Sequence, residues 1–485
     1  VAKSQSNLQD PTEHRQQSGT DVDTWERVRI LVDKARTAQA AFEIHSQERL
    51  DEAVRALAWS VYKPQHAREL AELAVKTTGL GSVDSKVIKN QRKTFGTLRD
   101  LLRVRTTGLI AQLPELGITK YGKPIGVVAA ITPSTNPSAT PVNKAMMAVK
   151  CGNPIIIAPS PSAWQATNET VEKMRSELRK IGAPVDLVQI LPQPINRDIT
   201  NELMKQSDLV VCTGSQNNVR GAYSSGTPAI GVGAGNVAVI IDETAELNDA
   251  AQKICASKIF DNATSCSSEN SVVIVNEIYD DAIRALERQG GYLATEDEKK
   301  IIVGQLWQNG KLNRNLIARD AEKLISSFSL DAGASSAKFI MVEETGAGGK
   351  YPLSGEKLSL VLTVYRAKDF DDAKRIVKDI YDYQGKGHSV GIYTSNKDRT
   401  HELAEEMDVV RVIVNQSHTF ANGGSFDNGL AFTLSMGCGS WQGNSISDNL
   451  NYTHFLNITH LVETIEEDKP SEEELFRPHW NKYGV

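Results

Sequence analysis

The stretch Pro124-Ile125-Gly126-Val127-Val128-Ala129-Ala130-Ile131-Thr132-Pro133-Ser134-Thr135-Asn136-Pro137, continuing through Ser138 to Lys150 and ending in Asn153-Pro154-Ile155-Ile156-Ile157-Ala158-Pro159, decides the fold. Ile125 to Ile131 is a nearly continuous apolar run rich in β-branched residues. A Thr/Pro/Ser/Asn loop follows, then a helical stretch to about Cys151, then a second apolar run from Ile155 to Ala158. Strands buried on both faces carry such unbroken runs, and two of them joined through a crossover helix make a right-handed βαβ unit of a parallel sheet.

The alternation extends in both directions. The pattern predicts a helix over 163–181, a strand over 186–191, a helix over 197–206, a strand over 208–212, a helix near 216–224 and a strand over 237–241. This half reads as a doubly wound, Rossmann-like α/β domain. After Asp242 come a helix to about Phe260, a cysteine-bearing segment, the strand Val272–Val275 and further alternation to about Val414, which predicts a second α/β domain. Upstream, from Asp21 to about Arg103, Trp25, Val28, Leu31, Val32 and Ala35, then Leu50, Val54, Leu57 and Val61, recur at helical spacing. Amphipathic helices packed on a sheet account for them. The expected divisions are a disordered polar tail at 1–20, a nucleotide-binding domain at 21–255 with 111–124 as a bridging segment, a catalytic domain at 256–440, and a C-terminal return and oligomerisation segment at 441–485. The acidic stretch Glu463 to Glu474 reads as a solvated helix face.

A chain of 485 residues exceeds what one core supports, and 40% hydrophobic with 24% charged residues is ordinary globular composition. No apolar run reaches the ~18–20 residues of a membrane span. The net charge of −6 argues against a nucleic-acid binder, which needs a basic footprint. Five cysteines, an odd number without a Cys-x-x-Cys pair, point away from a disulfide framework or a zinc site and toward a reducing, cytoplasmic setting. No metal ligand set is expected.

The richest chemical window is Phe260-Asp261-Asn262-Ala263-Thr264-Ser265-Cys266-Ser267-Ser268-Glu269-Asn270-Ser271, running into Val272-Val273-Ile274-Val275. Small polar residues crowd one cysteine, which suits an accessible thiol more than an inert core one. A second window, Cys212-Thr213-Gly214-Ser215, follows an apolar strand and opens a helix. Backbone amides at such a turn make an anion site, so Gly214 and Ser215 are candidates for a cofactor pyrophosphate.

The cysteine window resembles the nucleophile segment of the aldehyde dehydrogenase superfamily, in its CoA-acylating branch. The resemblance covers roughly residues 120–460. It implies the aldehyde dehydrogenase fold and a reaction in which Cys266 adds to an aldehyde, hydride passes to NAD or NADP, and the resulting thioester is transferred to coenzyme A. It assigns Asn136 to the oxyanion site, together with the Cys266 N–H; turn chemistry before Pro137 is the alternative reason for that asparagine. Thr132, Pro133, Ser134 and Ser160 fall in the cofactor-binding windows. Gly355-Glu356-Lys357-Leu358-Ser359-Leu360 resembles the family segment whose glutamate positions the nicotinamide ribose, which makes Glu356 a candidate, a surface Glu-Lys pair being the other reading. Leu360 replaces the usual proline there.

The informative departure lies at Gly231-Val232-Gly233-Ala234-Gly235, where hydrolytic relatives carry a glutamate that activates water. With Gly233 in place of a carboxylate, a CoA thiol is the natural acceptor. Ala158-Pro159-Ser160-Pro161 lacks the lysine and glutamate of the hydrolytic enzymes, so NADP becomes admissible, with Arg220 as its cationic partner, and NAD stays open. His388, in Gly387-His388-Ser389, is either an aid to thiol deprotonation or a structural histidine. Met436 to Ser447 is glycine-rich, with no chemical role readable from its residues.

The windows Asn415 to Gly424 and Phe432 to Met436 are most similar to sulfoacetaldehyde dehydrogenases, a small set within the branch. A short polar aldehyde is therefore expected, with Gln416, Ser417 and His418 as sulfonate donors and acetaldehyde as second choice. A hydrolytic enzyme and a catalytically silent structural relative are the competing classes. A homodimer or homotetramer is expected by analogy.

Overall fold

The computed structural model describes residues 22–42 and 46–484; the tail expected over 1–20 lies outside them. Four helices open the described chain, α1 (Val22–Phe42), α2 (Gln47–Tyr62), α3 (Pro64–Thr78) and α4 (Val83–Leu102). Val28, Val32 and Ala35 of α1 and Leu50, Val54, Leu57 and Val61 of α2 are buried, as their spacing predicts. Pro64 begins α3 where no N–H is needed, and Gly79 closes it in the left-handed region at φ 68°. Ser82 caps α4, its side chain accepting the Ser85 N–H. An antiparallel hairpin follows, β1 (Gly108–Leu113) and β2 (Ile118–Pro124).

The first parallel sheet is built from β3 (Val128–Thr132), α5 (Ala139–Lys150), β4 (Ile155–Pro159), α6 (Trp164–Lys180), β5 (Val188–Ile190), α7 (Arg197–Gln206), β6 (Leu209–Thr213), α8 (Gln216–Tyr223) and β7 (Ala229–Val232). Its order is β5-β4-β3-β6-β7 with every neighbouring pair parallel. Alternate side chains serve opposite faces. Val128, Ala130, Ile155 and Ile157 pack with Leu57, Met146 and Met174, whereas Val127, Ala129, Ile131 and Ile156 pack with Val28, Val32 and Leu203. This explains the unbroken apolar runs: each strand buries both faces, and each aliphatic side chain contributes about 1.5–3 kcal/mol. The strand order reverses between β3 and β6, so their carboxyl ends flank a crevice, the usual ligand position in open α/β sheets.

The second sheet uses β8 (Val237–Ile241), α9 (Leu247–Ile259), β9 (Glu269–Val275), α10 (Tyr279–Arg288), β10 (Gly291–Leu293), α11 (Glu296–Leu306), the small hairpin β11 (Trp307–Gln308) and β12 (Lys311–Leu312), α12 (Ala321–Phe328), β13 (Phe339–Glu343), β14 (Val361–Ala367), α13 (Phe370–Tyr383), β15 (Val390–Tyr393), α14 (Lys397–Glu406) and β16 (Val412–Val414). The order is β10-β13-β14-β9-β8-β15-β16, with the hairpin outside it. After α15 (His418–Ala421) the chain winds to β17 (Leu456–Val462), which pairs antiparallel with β2, and to α16 (Glu472–Tyr483).

Three expectations need correction. The division at 255 is too late, because β8 pairs with β9 and β15 and α9 packs Ala250, Ala251 and Ile254 into the second core; the change of sheet falls between Val232 and Val237. The bridging segment begins at Gly108 rather than 111. The acidic stretch is not a helix face: 463–470 has no regular structure, and only Glu472, Glu473 and Glu474 enter α16, in its first turn, where they face the positive end of the helix dipole.

Candidate active site

The loops after β3 and β6, the turn before β9 and the glycine segment between β7 and β8 converge on a cavity of about 290 Å³, lined among others by Asn136, Gly214, Ser215, Gly233, Cys266 and Glu356. It lies at the carboxyl ends of β3 and β6, where the strand order reverses. Residues that the sequence spreads over more than two hundred positions thus share one enclosure.

The approach to the cysteine is a left-handed turn. Asp261, Asn262 and Ala263 have φ of 51°, 53° and 58°, a conformation that costs roughly 1–2 kcal/mol per non-glycine residue and persists only when its surroundings fix it. They do so through Asp261, whose buried carboxylate accepts hydrogen bonds from the Ser82 N–H at 3.0 Å, Lys86 Nζ at 3.0 Å, Thr264 Oγ1 at 2.7 Å and Lys89 Nζ. Burial opposes the charge on Asp261, but Lys89 and Lys86 outweigh it and hold the carboxyl below its ordinary range. The chain then turns, with the Ser268 N–H on the Ser265 carbonyl at 3.0 Å, and enters β9.

Cys266 is the one cysteine of five that is not fully buried at residue level. Its thiol faces the cavity, and burial, then the proximity of Glu356 and Cys438, push it up to about 12, against the pull of Arg411 and a Ser267 hydrogen bond. The resting group is therefore a neutral thiol. Its N–H makes no hydrogen bond among the described residues, which leaves it available as an oxyanion donor. Asn136 lines the same cavity. Lys89 Nζ donates to its Oδ1 at 2.9 Å, which turns the amide so that Nδ2 is the free donor, held only by a 3.3 Å contact with Thr135 Oγ1.

Glu356 is not part of a surface pair. Lys357 is buried, its Nζ donating to the Leu353 and Gly355 carbonyls at 2.6 and 3.0 Å, and Glu356 is half-buried in the cavity wall. Burial pushes the Glu356 carboxyl up to about 8, with the Gly235 N–H and Lys357 pulling the other way, so it is mostly protonated at neutral pH. Among the described lining residues it is the one carboxyl group. The glycine segment brings no other, and its glycines are demanded by close approach: a Cβ on Gly235 would sit 2.3 Å from the Cys266 carbonyl oxygen.

His388 lies behind this segment rather than in the cavity wall, its Nε2 3.0 Å from the position of that Gly235 Cβ. The ring is buried, Nδ1 shares a hydrogen bond with Ser389 Oγ at 2.8 Å, and Nε2 has no partner. Burial, then Arg411 and His418, lower its pKa well below the ordinary histidine value, so the expectation of an imidazole titrating near ~6.5 is corrected. The expected sulfonate donors are also corrected. His418 is buried, bonded through Nε2 to Ser389 Oγ at 2.9 Å and lowered to about 3 by burial and Arg411. Ser417 Oγ donates to the Lys253 carbonyl at 3.1 Å, and Gln416 Oε1 accepts from Asn428 at 3.0 Å. Gln416 and Ser417 line a neighbouring cavity of about 660 Å³, not the one holding the thiol.

The residues expected to hold the nucleotide have the chemistry to fit one. Ser215 caps α8, accepting the Asn218 N–H, and Gly214 beside it has no atom closer than 3.6 Å to an added Cβ, which leaves the helix N-terminus open to a phosphate. Thr132 and Ser160, at the ends of adjacent strands, have buried hydroxyls without partners, and Pro133 lines the cavity; Ser134 is half-buried in the same loop. Arg220 is exposed on α8 five residues past Ser215, outside the lining.

Several residues of the candidate site are not readable as such in the sequence. Lys89, Arg92 and Lys93 of α4 line the thiol cavity, and Lys86 joins Lys89 on Asp261. Lysines at three- and four-residue spacing on an otherwise amphipathic helix were the available signal. Arg411, buried, donates to the Gly437 carbonyl at 2.8 Å, the His388 carbonyl at 3.1 Å and Asn449 Oδ1 at 2.9 Å. With Gln442 Nε2 on the Ala234 carbonyl at 3.0 Å, it gives the Met436–Ser447 segment its role as a brace for the glycine segment.

Residues 2–323 match the aldehyde dehydrogenase family, and with relatives of high identity along nearly the whole chain the protein belongs to that family. It is 50% identical to the sulfoacetaldehyde dehydrogenase (acylating) of Cupriavidus necator over 95% of this chain and 93% of that protein. It is 39% identical to the succinate-semialdehyde dehydrogenase (acetylating) of Clostridium kluyveri, over 93% and 98% of the two chains. The crystal structure of an acetylating aldehyde dehydrogenase from Geobacillus thermoglucosidasius superposes with a TM-score of 0.88 at 33% identity, covering 93% of this chain and 99% of that one. The acylating branch expected from Cys266 and the Gly231–Gly235 segment is thereby reached from the whole chain.

Proposed function

We propose that the protein oxidises sulfoacetaldehyde, with NAD or NADP as hydride acceptor, and delivers the acyl group to coenzyme A. The observation that carries the acyl-transfer reading is the thiol cavity itself: Cys266 and Asn136 face it, while its one carboxyl, Glu356, is kept largely protonated and cannot serve as a ready base for water. The names of the Cupriavidus relative and of a 42% identical protein from Bilophila wadsworthia support sulfoacetaldehyde as the substrate.

Cys266 gives up its thiol proton to solvent, its Sγ bonds to the aldehyde carbon, and the carbonyl π pair moves onto the oxygen, which takes the negative charge. The Asn136 amide and the Cys266 N–H donate to that oxygen, a contribution of about 2.7–4 kcal/mol per donor in comparable sites. Gly214 and Ser215 would hold the pyrophosphate of the nucleotide and Glu356 its nicotinamide ribose, and the bound group would supply the acceptor for the hydride that leaves the former aldehyde carbon. Cys266 is then left as a thioester, which the CoA thiol attacks at the carbonyl carbon, releasing the cysteine. Gly235 keeps the backbone of Cys266 close to the glycine segment throughout.

Five free thiols support a reducing, cytoplasmic compartment. The outer edge of β17, with Ile458, Leu461 and Val462 exposed, supports pairing with further copies of the chain. Nucleotide reduction measured with and without CoA, on the intact enzyme and on Cys266→Ala, with sulfoacetaldehyde against propionaldehyde, tests the reading. It requires CoA dependence, loss in the variant, and a preference for the sulfonated aldehyde.

A further inference from the structure

Helix α4 turns three cationic side chains, Lys89, Arg92 and Lys93, into the wall of the thiol cavity, and a fourth, Lys86, lies beside them. Asp261 is the carboxylate that meets this row, and it is taken by Lys86 and Lys89. Arg92 and Lys93 form no ion pair among the described residues. Lys93 Nζ donates to the Gly423 carbonyl at 2.7 Å, Arg92 Nη2 donates to Ser425 Oγ at 2.8 Å, and Arg92 Nε is buried without a partner. The charge of Asp427 reaches Arg92, but its carboxylate is bonded to Ser425 Oγ rather than to the guanidinium. Phe420, Phe426 and Phe432 surround that guanidinium, their ring centroids 5.7, 5.1 and 5.8 Å from its carbon, so its immediate surroundings are largely aromatic.

A guanidinium with no direct ion pair and a lysine whose charge is opposed by burial, side by side on an aromatic wall, are completed by an anion. We infer that Arg92 and Lys93 form an anion subsite which holds the sulfonate of the aldehyde and so presents its carbonyl carbon to Cys266. Arg92 and Phe420 line both the thiol cavity and the neighbouring 660 Å³ cavity, which places the guanidinium at the junction of the two. A fork of N–H donors beside an ammonium suits a three-oxygen anion better than a neutral aldehyde. Burial draws Lys93 down to about 7, with Arg92 and Lys89 adding to the effect; an anion bound there would restore its charge. The subsite replaces the Gln416, Ser417 and His418 set, whose polar groups are committed elsewhere.

The inference rests on the proposed substrate, and the test separates the two. The quantity is the ratio of kcat/KM for sulfoacetaldehyde to that for propionaldehyde, in the full-length enzyme and in Arg92→Gln, Arg92→Lys and Lys93→Met. Each of Arg92→Gln and Lys93→Met should lower the ratio by about tenfold to a hundredfold, the worth of a hydrogen bond to a charged group, and Arg92→Lys should recover part of it. Ethanesulfonate should compete with propionaldehyde in the intact enzyme and cease to do so in Lys93→Met. An unchanged ratio, with both substrates losing rate together, would overturn the subsite while leaving the substrate assignment intact. If the intact enzyme instead prefers succinic semialdehyde and the variants lose that preference, the subsite stands and the sulfonate assignment falls.

Discussion

Replacing Lys89 with methionine separates positioning from chemistry in the oxyanion site. The ammonium donates to Asn136 Oδ1 at 2.9 Å, to Thr264 Oγ1 at 3.1 Å and to Asp261. Methionine fills similar volume and deletes all three bonds, yet Asp261 keeps Lys86, the Ser82 N–H and Thr264, so the left-handed turn retains a paired anchor. The fold should survive with a loss of about 1–3 kcal/mol, less than the ~3–5 kcal/mol expected when a buried charge is stranded. Catalytically the Asn136 amide is left with the 3.3 Å contact to Thr135 alone, and its donor is no longer aimed. A charge-assisted hydrogen bond is worth about 1.5–3 kcal/mol, so the first-turnover rate with propionaldehyde should fall about tenfold to a hundredfold. Asn136→Ala removes the donor and should cost about a hundredfold to a thousandfold. Because Lys89 acts through Asn136, the double variant should be no more than about threefold slower than Asn136→Ala. The assay is stopped-flow nucleotide reduction under single-turnover conditions, with a thermal melt as control for folding. Losses that multiply in the double variant would refute the positioning role.

Further outcomes follow from the same geometry. The Cys266 thiol, raised to about 12, should be alkylated by iodoacetamide in the ligand-free enzyme at a rate that climbs about tenfold per pH unit from 7 to 10; a plateau near the ordinary cysteine value of ~8.5 would contradict this. Glu356, neutral below about 8, should tolerate Glu356→Gln at pH 7, the variant and the parent diverging only as pH rises through 8 and the parental carboxyl ionises; equal divergence at pH 6 would show that the charge is already present there. Gly235→Ala should lower the burst rate at least about a hundredfold, because its Cβ would lie 2.3 Å from the Cys266 carbonyl oxygen and must displace the nucleophile's backbone; retention of half the parental rate would show that the approach is not needed. Arg411→Met strands three buried acceptors and should destabilise by about 2–4 kcal/mol in denaturant titration, a shift under ~0.5 kcal/mol counting against the brace.

Much of this was legible in the sequence for a physical reason. Strands buried on both faces must be apolar throughout, and β4, β6 and β8 appear within a residue of where their runs place them, while β3 starts three residues into its run, at Val128. Sheet membership was not legible: Val237–Ile241 is an apolar run whichever sheet accepts it, and the division was set too late. The thiol was visible because small polar neighbours distinguish Cys266 from the buried Cys151, Cys212, Cys255 and Cys438. The α4 cations were not, because a lysine in an amphipathic helix ordinarily faces solvent, and only the fold brings Asp261 and the cavity to that face. His418 failed for the opposite reason, since a polar stretch such as Gln416-Ser417-His418 reads as exposed although the histidine folds inward against Ser389.

The central claim is that Cys266 holds an acyl group that water does not readily release. Mixing the enzyme with aldehyde and oxidised nucleotide, without CoA, and following reduced nucleotide together with the intact mass, tests it most directly. The account predicts a burst of about one equivalent per chain, a stall, an acyl adduct on Cys266, and resumed turnover when CoA is added. Continuous nucleotide reduction without CoA, with free acid accumulating and no adduct, would contradict it.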